Sequence, residues 1–520
     1  MSKMRAAKKE WRTCILKGVN MNKFVNGAKE VASHKLTENG AFAYNTTGDG
    51  ALLDLFGVVG ALRNREDYEI EEKFAAAFNE DKNLAMRMMF YARNARGGLG
   101  ERRTFRIMLK WLCRNHVDLA AANVHNIAEF GRFDDLYEYV DTPAEGAMWG
   151  WVFARLQDDY EKMLVNKPIS LLAKWLKSIN TSSAQSRYLA RRTIQGLGFK
   201  TERQYRKVLA RMREYLKVTE HQMSAQEWAE INYSHVPAYA IKNYGSAFAK
   251  HDYERWNAYL NALKNNVEGV KVNAGTLYPY DLVEKIQDRR SLWGDKFIYD
   301  ELTEQQWKAL PNYVADGANV LVMADVSGSM SGRPMATSIG LANYFAQRNH
   351  GAFEGLYLTF TNYPRYITVD KTESLCSMCN RAFSDVGYNT NLDLAFERVY
   401  RTAVDNQVPA EDMPRALVVI SDMEIDAYLS RENLDFLGKW KARFKSAGYD
   451  MPQLVCWNVA ARNDTFLSTA DKAKIKYLSG SSASTFRDLI NTLNCRSAYD
   501  AMVKILMNPM YDKIITKVGK

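Results

Sequence analysis

The sequence predicts a chain of mixed class, α followed by α/β, in which a helical domain precedes an open α/β domain. Its 520 residues exceed what one hydrophobic core usually holds, so at least two domains are expected. From residue 51 almost to residue 265, apolar residues recur at the spacing of amphipathic helices, with little strand signal. After residue 318, short apolar runs alternate with helical segments of about 12 residues, the pattern of βαβ units.

Five segments follow from these patterns. We expect an N-terminal arm, a helical repeat domain, a connector, an α/β domain and a C-terminal helix that docks on the helical domain. Their boundaries are placed, in that order, at 1–45, 46–290, 291–317, 318–496 and 497–520.

The composition is that of a soluble globular protein, with 47% hydrophobic and 25% charged residues. No run of 18 apolar residues occurs, and the first residues are basic without the apolar stretch of a secretory signal. A cytoplasmic protein is therefore expected, in the host cytoplasm if the chain is viral. The six cysteines are scattered and do not form a disulfide framework. Cys376 and Cys379 lack a second Cys or His pair nearby, which disfavours a zinc or redox role.

The helical domain is predicted by periodicity and by short, polar connections. Leu52, Leu55, Phe56, Val59 and Leu62 illustrate the spacing. Because the connections are short, neighbouring helices should pair antiparallel. A succession of such helices over more than 200 residues favours a helical-repeat solenoid over a single bundle.

Two loops between helices carry polar motifs. The glycine-rich loop from Arg93 to Arg103 superficially resembles a phosphate loop, but it follows a helix and not a strand, so a nucleotide site is weakly indicated. The loop from Gly131 to Leu136 has a glycine turn and the paired acids Asp134 and Asp135, which favour a helix junction with an N-cap.

A basic stretch in the helical domain is the candidate nucleic-acid surface. Residues 1–317 carry 47 Lys+Arg against 39 Asp+Glu, whereas the remainder carries 23 against 21. Cations interleaved with tyrosines suit a single strand, since phosphates attract the charges and bases stack on the rings. A solvated helix face with its aromatic residues in the core is an equally open alternative. The candidate RNA-binding residues are Lys174, Arg187, Arg191, Arg192, Lys200, Arg203, Arg206 and Lys207.

The α/β domain opens with a candidate metal loop. The apolar run from Asn319 to Ala324 predicts a buried strand, which is followed by Asp325, Ser327 and Ser329. A carboxylate and two hydroxyls on one tight loop suit a hard divalent cation, and Mg²⁺ is the first expectation, with Mn²⁺ and Ca²⁺ as alternatives. In an open α/β sheet, such ligands lie beyond the carboxyl ends of the strands.

This Asp-x-Ser-x-Ser loop resembles the metal-ion-dependent adhesion site of von Willebrand factor A domains. The resemblance implies that a threonine and a second aspartate from later loops complete the metal shell. Thr390 precedes a predicted helix, and Asp422 ends the apolar run that begins at Ala416. The implied metal ligands are therefore Asp325, Ser327, Ser329, Thr390 and Asp422.

A wider resemblance covers most of the chain. Several motifs occur in the order found in the Ro ribonucleoprotein family, which carries the TROVE domain. The chain looks closest to uncharacterised relatives in plants, bacteria and large phages, and Phe133 stands where the family usually has Trp. The motifs are Arg-x-x-x-Gly-Gly-x-Gly-Glu-Arg at 93–102, Gly-Arg-Phe-Asp-Asp-Leu at 131–136, Leu-Ala-Lys-Trp at 172–175, Asn-Ala-Gly-Thr-Leu-Tyr-Pro-Tyr at 273–280, and the loop at 325.

The resemblance implies a ring of HEAT-like helical repeats closed by a von Willebrand factor A domain. Such a ring binds single-stranded ends of misfolded or unprocessed RNA in its central hole, and Ro proteins bind small structured Y RNAs on the outer face. We therefore expect a monomeric ring that acts as an RNA-binding scaffold or chaperone. The metal site would hold an acidic side chain of a protein partner, and no membrane partner is expected.

Two other functions remain as hypotheses. The chain could be a protein-interaction or assembly module, phage-encoded for example, with no specific RNA. A metal-dependent hydrolase is disfavoured, because the sequence has no His-Glu-x-x-His motif and no paired carboxylates for two metals. Asp325 also lacks the Asp-x-Asp companion of an aspartyl-phosphate phosphatase, so no catalytic residues are expected.

Overall fold

This computed structural model describes residues 31–518 apart from 41, 289–295, 315–317, 362, 385–386, 388–389, 426–435 and 469–474. The described part is rich in helix up to residue 308 and carries a mixed, mainly parallel sheet from residue 320 onward. This agrees with the predicted class of α followed by α/β. None of the helices in this part combines the length and apolar character needed to cross a bilayer.

The first part of the chain contains fifteen of the helices that the structure describes, together with two short antiparallel strand pairs. The strands are β1 His34–Leu36, β2 Phe42–Tyr44, β3 Gln287–Asp288 and β4 Lys296–Phe297. The helices are α1 Ala51–Val58, α2 Asp67–Glu80, α3 Lys82–Arg93, α4 Arg102–Asn115, α5 Val117–Ala122, α6 Val124–Phe130, α7 Glu145–Leu164, α8 Leu172–Trp175, α9 Ala184–Gly196, α10 Glu202–Tyr215, α11 Thr219–Ser224, α12 Ala238–His251, α13 Tyr253–Lys264, α14 Pro279–Ile286 and α15 Glu301–Lys308.

Local sequence explains where these helices start and how they pair. Asp81 is the single residue between α2 and α3, and its carboxylate accepts hydrogen bonds from the first backbone N–H groups of α3. So short a connection brings α2 and α3 side by side, and both contact α4. The segment expected to be a connector contains α15, whose Trp307 is fully buried, so it forms part of the core.

The second part is built on a six-stranded sheet. Its strands are β5 Val320–Asp325, β6 Leu356–Phe360, β7 Tyr366–Thr368, β8 Ala416–Ser421, β9 Gln453–Asn458 and β10 Lys476–Ser479, in the order β10-β9-β8-β5-β6-β7. All neighbours are parallel except β6 and β7, which form an antiparallel hairpin. The helices are α16 Arg333–Arg348, α17 Leu375–Phe383, α18 Leu392–Asp405, α19 Phe436–Ser446, α20 Thr485–Thr492 and α21 Ala498–Leu506.

The order of the strands places a topological switch point between β5 and β8. From β5 the chain continues to β6 on one side, and it later returns to β8 on the other. Ligands in open α/β sheets bind beyond the carboxyl ends of the strands at such a point. The loop after β5 and the loop after β8 therefore meet at the edge where a site is expected.

Two of the junctions between the helical part and the sheet domain lie near the ends of the helical segment. At the first, α1 packs on β10, and the Gly60 N–H donates to Ser479 Oγ at 3.0 Å. A Cβ at Gly60 would lie 2.7 Å from the backbone of Gly480, so this approach requires glycine. At the second, α14 packs on α16, where a Cβ at Gly340 would lie 3.1 Å from Pro279. The helical segment thus leaves the sheet domain and returns to it.

Both ends of the described chain also join the two parts. The hairpin of β1 and β2 pairs with the sheet domain through a two-way backbone bridge between Tyr44 and Phe466, each N···O distance being 2.9 Å. At the other end, α21 packs on α1 and α3, and Asn123 exchanges hydrogen bonds with the backbone of Ile515. Residues 1–30 of the expected arm lie outside the described residues.

Candidate metal centre and basic surface

The loop after β5 carries the first three predicted metal ligands. Asp325 is fully buried at the end of the strand, and its Oδ1 accepts a hydrogen bond from the Ser327 N–H at 2.9 Å. The hydroxyl oxygens of Ser327 and Ser329 lie 3.1 Å apart. A carboxylate and two hydroxyls are therefore held together by the turn itself.

The loop after β8 brings the second carboxylate to the same place. Ala324 pairs with Ile420 across the two strands, so Asp325 stands opposite Ser421, next to Asp422. The Ser421 hydroxyl donates to Asp325 Oδ2 at 2.6 Å. Burial, followed by the charge of Asp422, raises the pKa of Asp325 to about 7. Burial also raises the pKa of Asp422. Two buried carboxyl groups that disfavour each other's charge form a site that a cation would stabilise.

One oxygen of this pair lacks a hydrogen-bond donor. Asp422 Oδ1 accepts from the Glu424 N–H at 3.1 Å, whereas Asp422 Oδ2 is buried without a hydrogen bond. The nearest positive group to Oδ2 is the Arg462 guanidinium at 3.4 Å, an ion-pair contact that does not satisfy hydrogen-bond geometry. A buried carboxylate oxygen without a donor, beside two serine hydroxyls, fits a divalent cation with oxygen ligands.

The fifth predicted ligand comes from the loop before α18. Thr390 is buried, with 1% of its surface exposed, and directly precedes Asn391, whose side chain caps that helix. Three residues earlier, the Gly387 N–H donates to the Val326 carbonyl at 3.2 Å. This loop thus runs beside the metal loop. Tyr388 and Asn389 lie outside the described residues.

Sequence reasoning missed Ser421 and Arg462. Ser421 could have been found from strand register, because it precedes Asp422 and faces Asp325 across the sheet. Arg462 follows β9, the neighbour of β8, so only the strand order brings it to this edge. The structure shows no group of three or more His, Cys, Asp or Glu side chains placed to hold a metal among the residues that it describes. The candidate site has a different composition, with two carboxylates and otherwise hydroxyls.

The predicted RNA-binding residues fall into two groups. Three of them form ion pairs or hydrogen bonds with other residues of the helical part. Lys174 pairs with Glu220 at 3.3 Å, and Arg192 pairs with Glu145 at 2.5 Å. Arg187 donates to the carbonyl oxygens of residues 181 and 182, where it closes the turn before α9. These three side chains therefore stabilise the local structure of the helical part.

The other five are exposed. Arg203, Arg206 and Lys207 occupy one face of α10 at helical spacing, and within the described residues they form no ion pair. Arg191 lies 3.8 Å from Glu202, with 67% of its side chain exposed. We call this set the basic surface, and it consists of Arg191, Lys200, Arg203, Arg206 and Lys207.

Comparison with known proteins identifies a family for the helical part. The family model described as a domain of unknown function, DUF2828, matches residues 37–158 and 152–319, which is more than half of the chain. The chain belongs to this family. A second model of the same kind, DUF7788, matches residues 319–505, the span of the α/β domain. The chain is also 28% identical over 502 residues to an uncharacterized protein of Acanthamoeba polyphaga mimivirus, with 89% of this chain and 85% of that protein aligned.

In the DUF2828 region, the glycine-rich loop at 97–100 is a packing junction. Gly100 has φ +68°, and a Cβ there would lie 1.5 Å from the Tyr278 phenol oxygen. The carbonyl of Gly98 accepts from the Ser484 hydroxyl, and that of Gly97 accepts from the Arg487 guanidinium, at 2.9 and 2.8 Å. The loop presents its carbonyls to α20 of the sheet domain, so its polar groups are already occupied by protein.

The loop at 131–136, in the same region, forms a buried ion network. Asp135 is fully buried and accepts hydrogen bonds from Arg93 Nε at 2.7 Å and Arg106 Nε at 2.6 Å. Arg132 forms a two-pronged pair with Asp134, and its guanidinium also lies 4.2 Å from the centre of the Trp175 ring. The structure confirms this motif as a helix junction and shows a cation stacked on an aromatic ring at its surface.

Proposed function

We propose that the α/β domain binds Mg²⁺ through Asp325, Ser327, Ser329, Thr390 and Asp422, as a metal-ion-dependent adhesion site does. The observation that carries this proposal is the convergence of two buried carboxylates and two hydroxyls, with Asp422 Oδ2 lacking a hydrogen-bond donor. A bound cation would place a positive charge at the sheet edge, and the carboxylate of a partner's acidic side chain would bind to that cation.

The chain's own residues prepare this site in two ways. The Ser327 N–H and Ser421 hydroxyl each donate to Asp325, which fixes both carboxylate oxygens. The sheet buries both aspartates, so a cation there would be screened less than at an exposed site. We propose that the site binds a cation and a partner and does not catalyse a reaction.

Calorimetric titration with Mg²⁺ tests the metal site. Asp325→Ala removes the only carboxylate of the loop, so binding should be lost while the helical part stays folded. Asp405→Ala, an exposed aspartate at the end of α18, is the matched control and should bind as wild type. At Mg²⁺ concentrations about 100 times Kd, wild type should gain about 2.7 kcal/mol of stability that Asp325→Ala does not gain. Equal titrations for wild type and Asp325→Ala would refute the assignment.

We further propose that the helical part binds single-stranded RNA, so that the whole chain is a cytoplasmic scaffold of the Ro type. The basic surface supports this proposal, because its cations are exposed and three of them, Arg203, Arg206 and Lys207, form no ion pair with another described residue, which leaves them available to phosphates. The Arg132 guanidinium stacked on Trp175, with Lys174 Nζ 5.8 Å from the same ring, adds an aromatic platform. The sequence motifs that resemble the Ro family are the second support.

Filter binding with an RNA that has a single-stranded 3′ tail tests this proposal. The variant carries Gln at Arg191, Arg203, Arg206 and Lys207, which keeps helix propensity and leaves the internally paired cations in place. The control carries Gln at four exposed cations of the sheet domain, Lys439, Lys441, Lys445 and Arg496, and so removes the same charge.

The variant should bind tailed RNA more weakly than wild type, while the control should not. Each phosphate contact contributes about 0.7 to the log-log salt slope for a single strand, so the loss of up to four contacts should flatten the slope by up to about 3. If the variant and the control lose affinity equally, the basic surface is a solvated helix face. The alternative of a protein-assembly module without specific RNA would then be the better proposal.

A further inference from the structure

The N-terminal hairpin lies against the same sheet edge as the candidate metal site. Its tip is held by three hydrogen bonds to the loop after β8, each 2.7 Å long. The Thr37 hydroxyl donates to the Ile425 carbonyl, and the Glu38 N–H donates to Glu424 Oε2. Asn39 Nδ2 donates to the Glu424 carbonyl. The hairpin therefore contacts the loop that begins at Asp422.

Arg462 links the hairpin to the metal site. Its guanidinium lies 3.4 Å from Asp422 Oδ2 and donates a hydrogen bond to the carbonyl oxygen of Ser329. On its other side it lies 3.4 Å from Glu38 Oε2. One cation thus contacts two predicted metal ligands and the tip of the hairpin.

The position of this cation conflicts with that of a divalent ion. The Asp422 oxygen next to Arg462 is the one without a hydrogen-bond donor, and it is the oxygen that a metal would use. The guanidinium is a permanent charge, so it repels a second cation placed on the same oxygen. Arg462 is 39% exposed, whereas Asp422 is fully buried, so the guanidinium joins the buried carboxylate to the solvent-exposed surface.

Glu38 offers Arg462 a second acceptor. Its carboxylate is 46% exposed, and it also accepts a hydrogen bond from Asn463 Nδ2 at 3.0 Å. The backbone of Arg462 is anchored independently, since its carbonyl accepts from Arg65 NH1 at 2.8 Å. The side chain can therefore leave Asp422 and keep its hydrogen bond to Glu38 without a change in the loop.

We propose that Arg462 is the internal counter-ion of the metal site, that it pairs with both Asp422 and Glu38 in the metal-free protein, and that it leaves Asp422 and keeps Glu38 when a divalent cation binds. The proposal rests on the proposed metal-binding function. It makes Arg462 a determinant of metal affinity and couples metal occupancy to the N-terminal hairpin. It also predicts that Arg462 lowers the affinity for the divalent cation, and that Glu38 raises this affinity because it competes with Asp422 for the guanidinium.

Mg²⁺ titrations of three variants test the counter-ion role. Arg462→Gln removes the competing charge and should tighten Mg²⁺ binding at least about tenfold. Glu38→Gln removes the second acceptor, so Arg462 should stay on Asp422 and Mg²⁺ binding should weaken several-fold. Arg462→Lys keeps the charge and should stay near the wild-type affinity. Arg401→Gln, on the exposed face of α18, is the control and should bind as wild type.

Hydrogen exchange provides a readout that does not depend on affinity. In wild type at saturating Mg²⁺, the backbone amides of β1 and of the turn after it should exchange more slowly than without Mg²⁺, because Arg462 then pairs fully with Glu38. In Arg462→Gln the same addition should leave their exchange unchanged. An equal Mg²⁺ effect in both proteins would overturn the coupling to the hairpin.

The outcomes separate the inference from the metal site itself. If wild type binds Mg²⁺, Asp325→Ala does not, and Arg462→Gln binds as wild type, the counter-ion role is wrong and the metal site stands. If Arg462→Gln binds Mg²⁺ and wild type does not, the counter-ion role is supported in its strongest form. If neither binds, the metal site is wrong and the inference falls with it.

Discussion

Replacing Gly100 with alanine should destabilise the helical part strongly, and for a reason that can be isolated. Gly100 has φ +68°, and its added Cβ would lie 1.5 Å from the Tyr278 phenol oxygen and 2.7 Å from Cζ of the same ring. Tyr278 cannot move freely, because its ring stacks on Tyr280 with centroids 5.7 Å apart and 2° between the planes. The alanine must therefore displace an aromatic pair at a junction of the two parts of the chain.

The expected cost has two components. The left-handed backbone costs an alanine about 1–2 kcal/mol, and overpacking a filled site costs about 1–3 kcal/mol more. Gly198 separates them, since it has φ +69° and a Cβ there would meet nothing within 4 Å. Gly198→Ala should therefore cost only about 1–2 kcal/mol, and Gly100→Ala about 2–5 kcal/mol.

Urea unfolding of the two variants and of wild type, followed by tryptophan fluorescence, measures the difference. Tyr278→Leu in the Gly100→Ala background shortens the clashing side chain and should recover part of the loss. If Gly100→Ala and Gly198→Ala lower the free energy of unfolding equally, the contact with Tyr278 is not the reason for the glycine. The glycine-rich loop would then require an explanation other than packing.

Further predictions concern the buried ion network, the candidate metal site and the basic surface. Asp135→Asn leaves the buried Arg93 without its carboxylate and should lower the free energy of unfolding in urea by about 3–5 kcal/mol. Asp67→Asn, in the exposed pair with Arg103, is the control and should lower it by at most about 1 kcal/mol. Burial raises the pKa of Asp325 to about 7, above its ordinary value, so metal-free stability should fall as the pH rises from about 4 through 7. Calorimetric Mg²⁺ affinity should weaken about tenfold per pH unit below 7, and a flat profile would contradict this. The salt slope of RNA binding should be unchanged in Asp325→Ala, because the basic surface lies in the helical part, and filter binding at several salt concentrations checks this.

The strands around the candidate site could be predicted because each is a short apolar run that ends in a polar residue. The run at 319–324 is found as β5 at Val320–Asp325, and the run from Ala416 is found as β8 at Ala416–Ser421. Buried parallel strands have this signature because both faces are covered by helices. Chain order along the sheet then places the carboxylates of Asp325 and Asp422 at one edge.

Contacts between charged side chains could not be predicted in the same way. Arg192 and Lys174 appeared to be available cations, but acids from α7 and α11 pair with them. Glu145 is 47 residues from Arg192 along the chain, so composition carries no signal of the pair. Arg203, Arg206 and Lys207 have the same local pattern and remain exposed. Only the packing of the helices distinguishes a structural cation from a surface one.

The loop after β5, which carries three of the predicted metal ligands, is connected to the helical part through the helix that follows it. Gly332 ends the loop, and Arg333 begins α16 with its guanidinium 4.6 Å from the centre of the Tyr280 ring. The same helix packs on α14 where Gly340 approaches Pro279. Because α16 packs on α14, this junction fixes the position of the loop that precedes α16. The hairpin contacts the loop after β8, so the candidate site lies next to two segments, α14 and the hairpin, that both precede the sheet domain in the chain.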